Sequence, residues 1–170
     1  MNAFDIRIIG DPVLREVADD VTDIDGSLVR VADGMVEAMY AHDGLAVAAP
    51  QVGVRKRVVV YQLPDQDDPI TIVNPRIVEH GDDTWSYHEG CLSIPGLYWD
   101  IVRPKQVHVV GLDLDGNEVS LEADELAARM FQHEIDHLDG VLMTERLDDD
   151  QAAEAKRAVR ELMLARSEPA

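Results

Sequence analysis

Apolar positions along the chain follow two rhythms. Leu28, Val31, Ala32, Met35, Val36 and Met39 recur at intervals of three and four, which predicts a helix capped by Ser27. It runs to about Ala41 and ends at His42-Asp43-Gly44. A second helical stretch starts near Asp124, reaches Leu138 and stops at Asp139-Gly140, with Leu126, Arg129, Met130, His133 and His137 on one side. A third begins in the acids Asp148 to Asp150, which suit a helix N-terminus, and reaches about Arg166. Between the helices lie strand-like runs at Val58–Gln62, at Ile70–Glu79 with an interruption at Asn74-Pro75, and at Thr84–His88. Lys105–Asp113 and Glu118–Glu122 read as a hairpin around Asp115-Gly116. Residues 5–20 read as an irregular arm with a turn or short helix start at Asp11-Pro12. Residues 44–53 read as a loop or edge strand of small residues, and 89–96 as a tight segment. The pattern predicts an α+β fold: small antiparallel or mixed sheets around a central helix, flanked by an N-terminal and a C-terminal helix.

Length and composition narrow this picture. A chain of 170 residues, 46% of them apolar, predicts one catalytic domain over 1–170 with a proper core. No apolar run approaches the ~18 residues of a bilayer span. Asp5 stands where a signal peptide would be apolar, so the expected location is cytoplasmic, with no membrane partner. The formal charge of -19 disfavours general electrostatic binding to nucleic acid, and no DNA partner is expected. The single cysteine, Cys91, excludes an intrachain disulfide and leaves either a small buried side chain or a metal-ligating thiol.

The most informative stretch is Gln132-His133-Glu134-Ile135-Asp136-His137. On a helix, His133 and His137 stand one turn apart on the same face and can grip one cation. Glu134 is turned aside, within reach of a water at that cation. Two imidazoles leave the site incomplete. One candidate for the third ligand is Glu154 or Glu161 on the last helix, although Lys156, Arg157 and Arg160 nearby make those acids equally readable as surface partners. The other is Cys91, whose thiolate with two imidazoles makes a tetrahedral site with one open position.

Three motifs together, Gly44-x-x-x-Ala48-Ala49-Pro50-Gln51, Glu89-Gly90-Cys91-Leu92-Ser93 and Gln132-His133-Glu134-x-x-His137, resemble peptide deformylase in order and spacing. Asp11-Pro12-x-Leu14-Arg15 adds to the likeness, which covers essentially the whole chain, including the C-terminal helix of the bacterial type. The resemblance implies a hydrolase that removes the N-formyl group from the N-terminal formyl-methionine of new polypeptides and releases formate. It implies Cys91, His133 and His137 as ligands of one ferrous ion, replaceable by zinc, nickel or cobalt. The donor set alone would favour zinc. A transient ribosome partner is also implied, with Lys156, Arg157 and Arg160 as candidate contacts.

Amide hydrolysis needs a nucleophile, a home for the oxyanion and a proton for the amine. A metal lowers the pKa of its water from ~15.7 toward ~7, and Glu134 is the candidate base that then serves as acid. The resemblance assigns the oxyanion to the Gln51 side-chain amide and the Leu92 backbone N–H. Glu89 is expected to pair with Arg103 and fix the Cys91 loop, and Asp136 to support the site or face solvent. Met130 and Leu45 are candidate walls for the methionine side chain. The peptide is expected to pair as a strand near Gly44–Val47. Ala46 departs from the family pattern, which has glycine there, so altered efficiency or substrate fit is expected.

Overall fold

The computed structural model describes residues 4–167, the side chain of Ser167 excepted. In chain order the elements are α1 (Gly26–Ala41), β1 (Ala46–Ala48), β2 (Val58–Tyr61), β3 (Ile70–His80), β4 (Thr84–Cys91), β5 (Ile94–Pro104), β6 (Gln106–Leu112), β7 (Glu118–Asp124), α2 (Glu125–Leu138) and α3 (Asp149–Ser167). Short 3-10 turns sit at Pro12–Arg15, Ala49–Val52 and Met143–Arg146. The α+β expectation holds. The named strands pair antiparallel throughout, in a five-stranded sheet of order β1-β2-β3-β6-β7 and a two-stranded sheet of β4 with β5. The only parallel pairing among the described residues is an isolated bridge from Asp19 to Lys56.

The run Val58-Val-Val-Tyr61 has no polar alternation because both of its faces are covered. Val59 and Tyr61 pack with Ala128, Phe131, Ile135 and Leu138 of α2. Val58 and Val60 pack with Leu28, Ala32, Met35 and Met39 of α1. The large sheet is thus a layer between two helices, with α2 pinned on one face by a fully buried Leu138. Truncating that residue to alanine would cost about 2–5 kcal/mol. A third cluster seats α3 on β5 through Ile94, Trp99, Ile101 and Ala155.

Several sequence expectations need correction. Asp25, not Ser27, caps α1: one carboxylate oxygen accepts from the Ser27 and Leu28 amides at 2.9 and 3.0 Å. Ser27 also gives its hydroxyl to that carboxylate, so it is bound to the cap. Asn74-Pro75 does not break β3. Asn74 takes φ 51° and anchors Val21 through two side-chain bonds, and β3 shifts register against β6 instead of ending. β4 extends to Cys91, so most of the expected tight segment is the top of a hairpin. The 11-residue strand β5 has no counterpart among the strand-like runs of the sequence.

Candidate metal centre

The helix period places His133 and His137 on α2 as expected, with ring centroids 4.9 Å apart. The β4–β5 hairpin brings Cys91 to them. One donor atom from each of Cys91, His133 and His137 lies within 4.8 Å of the others, and Cys91 Sγ is 3.2 Å from His137 Nε2. Both rings are buried while the thiol is partly exposed. Glu154 and Glu161 are exposed on α3 and take no part in this cluster. The protein's own chemistry fits a cation here. Burial opposes ionisation of the Cys91 thiol, but the charges of His137 and His133 override it and pull its pKa well below the usual value. Burial likewise opposes a charged His133 ring, yet Cys91 and then Glu89 hold its pKa well above the ordinary value. The same negative groups would stabilise a metal ion at this point.

Glu89 is the pivot of a buried ion-pair network. Its carboxylate accepts from His133 Nδ1 at 2.6 Å, from Arg103 Nη2 and Nε at 2.7 and 2.9 Å, and from Arg129 Nη1 at 2.9 Å. Burial alone would raise its pKa, but bonds from Arg103 and His133 keep it ionised well below the normal carboxylate range. With Nδ1 committed to Glu89, His133 is left with Nε2 for a metal. The expected Glu89–Arg103 pair therefore exists, as a buried support and not a surface bridge. Asp136 also belongs to the support, accepting from Arg103 at 2.9 Å and from Arg146 at 2.6 and 3.1 Å.

Gln51 lies on the other side of Cys91. Its Oε1 accepts from the Ala48 amide at 2.9 Å, which turns Nε2 toward Ser93 Oγ at 3.2 Å and Cys91 Sγ at 3.7 Å. The N-terminal arm ties these two segments down, with Arg7 N–H donating to Gln51 O and Ile9 N–H to Ser93 O. Leu92 sits at the hairpin turn against Gly44, where an added Cβ would come within 2.8 Å of Leu92 Cδ1.

Gln51, Glu89, Cys91, Leu92 and His133 border one cavity of about 500 Å³. Its wall includes Gly44, Leu45 and Ala46 from the β1 segment, Cys91 and Leu92 from the hairpin, and Met130, His133 and Glu134 from α2. Glu134 is buried, and its Oε2 has no hydrogen-bond partner among the described residues. Burial raises its pKa, only partly opposed by the nearby histidines. A basic carboxylate with an unused oxygen is suited to take a proton. β1 is an edge strand of the large sheet.

Arg129, on the metal side of α2, has a role that the helical pattern alone does not reveal. It binds Glu89 and the Trp85 carbonyl, lies 5.1 Å from the Trp85 ring centroid, and borders the cavity. The available signal was its position four residues before His133 on a buried face.

An α+β chain whose clustered thiol and two imidazoles lie beside a cavity walled by a buried carboxylate has the make-up of a metal-dependent hydrolase. The chain belongs to the polypeptide deformylase family, whose model matches residues 3–153. It is 42% identical over 161 residues to peptide deformylase of Parafrankia sp., covering 95% of this chain and 87% of the relative. It is 45% identical over 148 residues to that of Halothermothrix orenii, covering 86% and 95%. Peptide deformylase from Ehrlichia chaffeensis in complex with actinonin superposes with a TM-score of 0.92 at 34% identity, covering 99% of this chain and all of the other.

Proposed function

We propose that this protein removes the formyl group from the N-terminal formyl-methionine of newly made polypeptides and releases formate. The observation that carries the reading is the buried Glu134 carboxylate, with one unpartnered oxygen, in the wall of the cavity beside the Cys91–His133–His137 cluster. Those three residues would hold the ion. We assign ferrous iron, with zinc, nickel or cobalt as substitutes; the bound ion would act as a Lewis acid that activates water and polarises the formyl carbonyl. Glu134 takes the proton from the attacking water and delivers it to the departing amine nitrogen. Gln51 Nε2, aimed by the Ala48 amide, and the Leu92 backbone N–H stabilise the oxyanion, each such donor lowering the barrier by about 3 kcal/mol.

The peptide backbone adds to the open edge formed by Gly44 to Val47, and Met130 and Leu45 help enclose the methionine side chain. Residues 1–170 act as one catalytic domain in the cytoplasm. No helix among the described residues is long and apolar enough to cross a membrane. Contact with the ribosome is brief and local, through the exposed Lys156, Arg157 and Arg160 of α3. The test is formate release from a formyl-Met peptide by protein prepared without oxygen, with metal analysis of the same sample. Stoichiometric metal with formate release is expected. A metal-loaded protein that leaves the formyl group in place would refute the reading.

A further inference from the structure

A second cleft lies behind α2. Gln132, Ile135, Asp136 and Asp139 face it, whereas Met130, His133 and Glu134 face the metal cavity. Its volume is about 530 Å³, close to that of the first. Four arginines line it: Arg57, Arg76, Arg103 and Arg146. That gathering is unexpected in a chain with 15 basic and 34 acidic residues.

Only two carboxylates, Asp136 and Asp139, share the cleft wall with these four cations; the other two that pair with them, Asp20 and Glu89, lie outside it. The arginines pair in two separate networks: Arg57 and Arg76 with Asp20 and Asp139, and Arg103, Arg129 and Arg146 with Glu89 and Asp136. Asp136 is divided between Arg103 and Arg146, Asp20 between Arg57 and Arg76, and Glu89 between Arg103, Arg129 and His133. Donors are left over. Arg76 spends only Nη2, on Asp20, and Arg146 spends Nε and Nη2, both on Asp136. Arg57 is 95% buried, and its Nε lies 3.9 Å from Asp20 Oδ1 without a hydrogen-bond partner among the described residues. That donor has a charged neighbour but no short bond, so it too could donate to a better-placed acceptor. Ile77 and Ile135 give the cleft apolar walls as well.

We propose that this cleft binds a small organic oxyanion, with the charged head between Arg76 and Arg146 and an apolar body against Ile77 and Ile135. Guanidinium forks match carboxylate and phosphate oxygens, and the spare donors supply charge-assisted bonds without breaking the existing pairs. The site faces away from the metal cavity, and the proposal does not rest on the deformylase reading.

The test is titration calorimetry on the metal-loaded protein with phenyl phosphate, benzoate and inorganic phosphate. Arg76→Ser and Arg146→Ser are compared with the parent and with a Lys156→Ser/Arg157→Ser control on α3, which removes charge elsewhere. Among the described residues Arg76 pairs only with the exposed Asp20, and Arg57 keeps Asp139, so Arg76→Ser leaves the buried Glu89–Asp136 network intact even if Arg146→Ser disturbs folding. One-to-one binding of phenyl phosphate or benzoate is expected, and the better of the two identifies the head group as phosphate or carboxylate. Each cleft variant should weaken it about tenfold, and the α3 control should match the parent. No saturation of either aromatic anion by about 10 mM, or equal affinity in parent and Arg76→Ser, would overturn the proposal. Inorganic phosphate binding as tightly as phenyl phosphate would overturn its apolar part.

Discussion

Glu89 holds His133 by a 2.6 Å bond to Nδ1 while the same carboxylate neutralises two buried arginines, Arg103 and Arg129. One side chain therefore aims a metal-binding ring and keeps two charges tolerable in the interior. Glu89→Gln should remove both services. The arginines would lose their shared counter-charge, at a cost of about 3–5 kcal/mol in denaturant unfolding of the metal-free protein. His133 would lose the charged acceptor that orients it, keeping at most a neutral amide oxygen, and metal affinity should fall roughly 10–100-fold in competition with a chelator. Unchanged affinity would mean that the ring is held by packing alone.

Among the described residues Glu134, unlike Glu89, has no cationic hydrogen-bond partner, and burial pushes its carboxyl upward. A raised carboxyl pKa means that the folded protein disfavours the ionised form, so deleting the charge should not destabilise the fold. Glu134→Gln is expected to retain metal and melt no lower than the parent. Deformylation should fall by about 10²–10⁴. Loss of metal in this variant would make Glu134 a ligand and not the base.

Ala46 lies in β1, paired with Tyr61, and is not among the described non-glycine residues with positive φ. Its methyl therefore costs no backbone strain. It borders the cavity, so any effect on substrate is steric. Ala46→Gly should shift KM for formyl-Met peptides and leave kcat unchanged. Identical KM values in parent and variant would show that the position is insensitive.

Hydrogen bonds from the Ser27 side chain and then the Leu28 and Ser27 amides lower the pKa of the Asp25 carboxyl below its unfolded value of ~3.9. A lowered carboxyl contributes stability that is complete above the unfolded value and is lost as pH falls through the folded one. Asparagine caps equally well without a charge. The difference in thermal midpoint between parent and Asp25→Asn should be flat near neutral pH and shift against the parent below about pH 4. A difference independent of pH would refute the charged cap.

How much of this was legible follows from where each signal resides. The periodicity of α1 and α2 was readable because apolar spacing reflects the face that each helix buries. β5 was missed because its buried side carries Arg103 between apolar residues, with Trp99 and Ile101 before it and Pro104 after it. A buried arginine reads as solvent-facing until its partners are known. Those partners, Glu89 and Asp136, come from β4 and α2.

By itself the sequence determined the one-turn spacing of His133 and His137, the helix and strand rhythms, and the family. Each is either a local backbone period or a set of motifs in linear order. Tertiary structure decided that Cys91 and not Glu154 or Glu161 meets the histidines, and that Glu89 locks His133. It also decided that four arginines gather behind α2. These depend on strand register and on the packing of the β4–β5 hairpin and the large sheet around α2. Contacts between chain-distant groups are selected by the burial of the whole core, and no short stretch of residues encodes that.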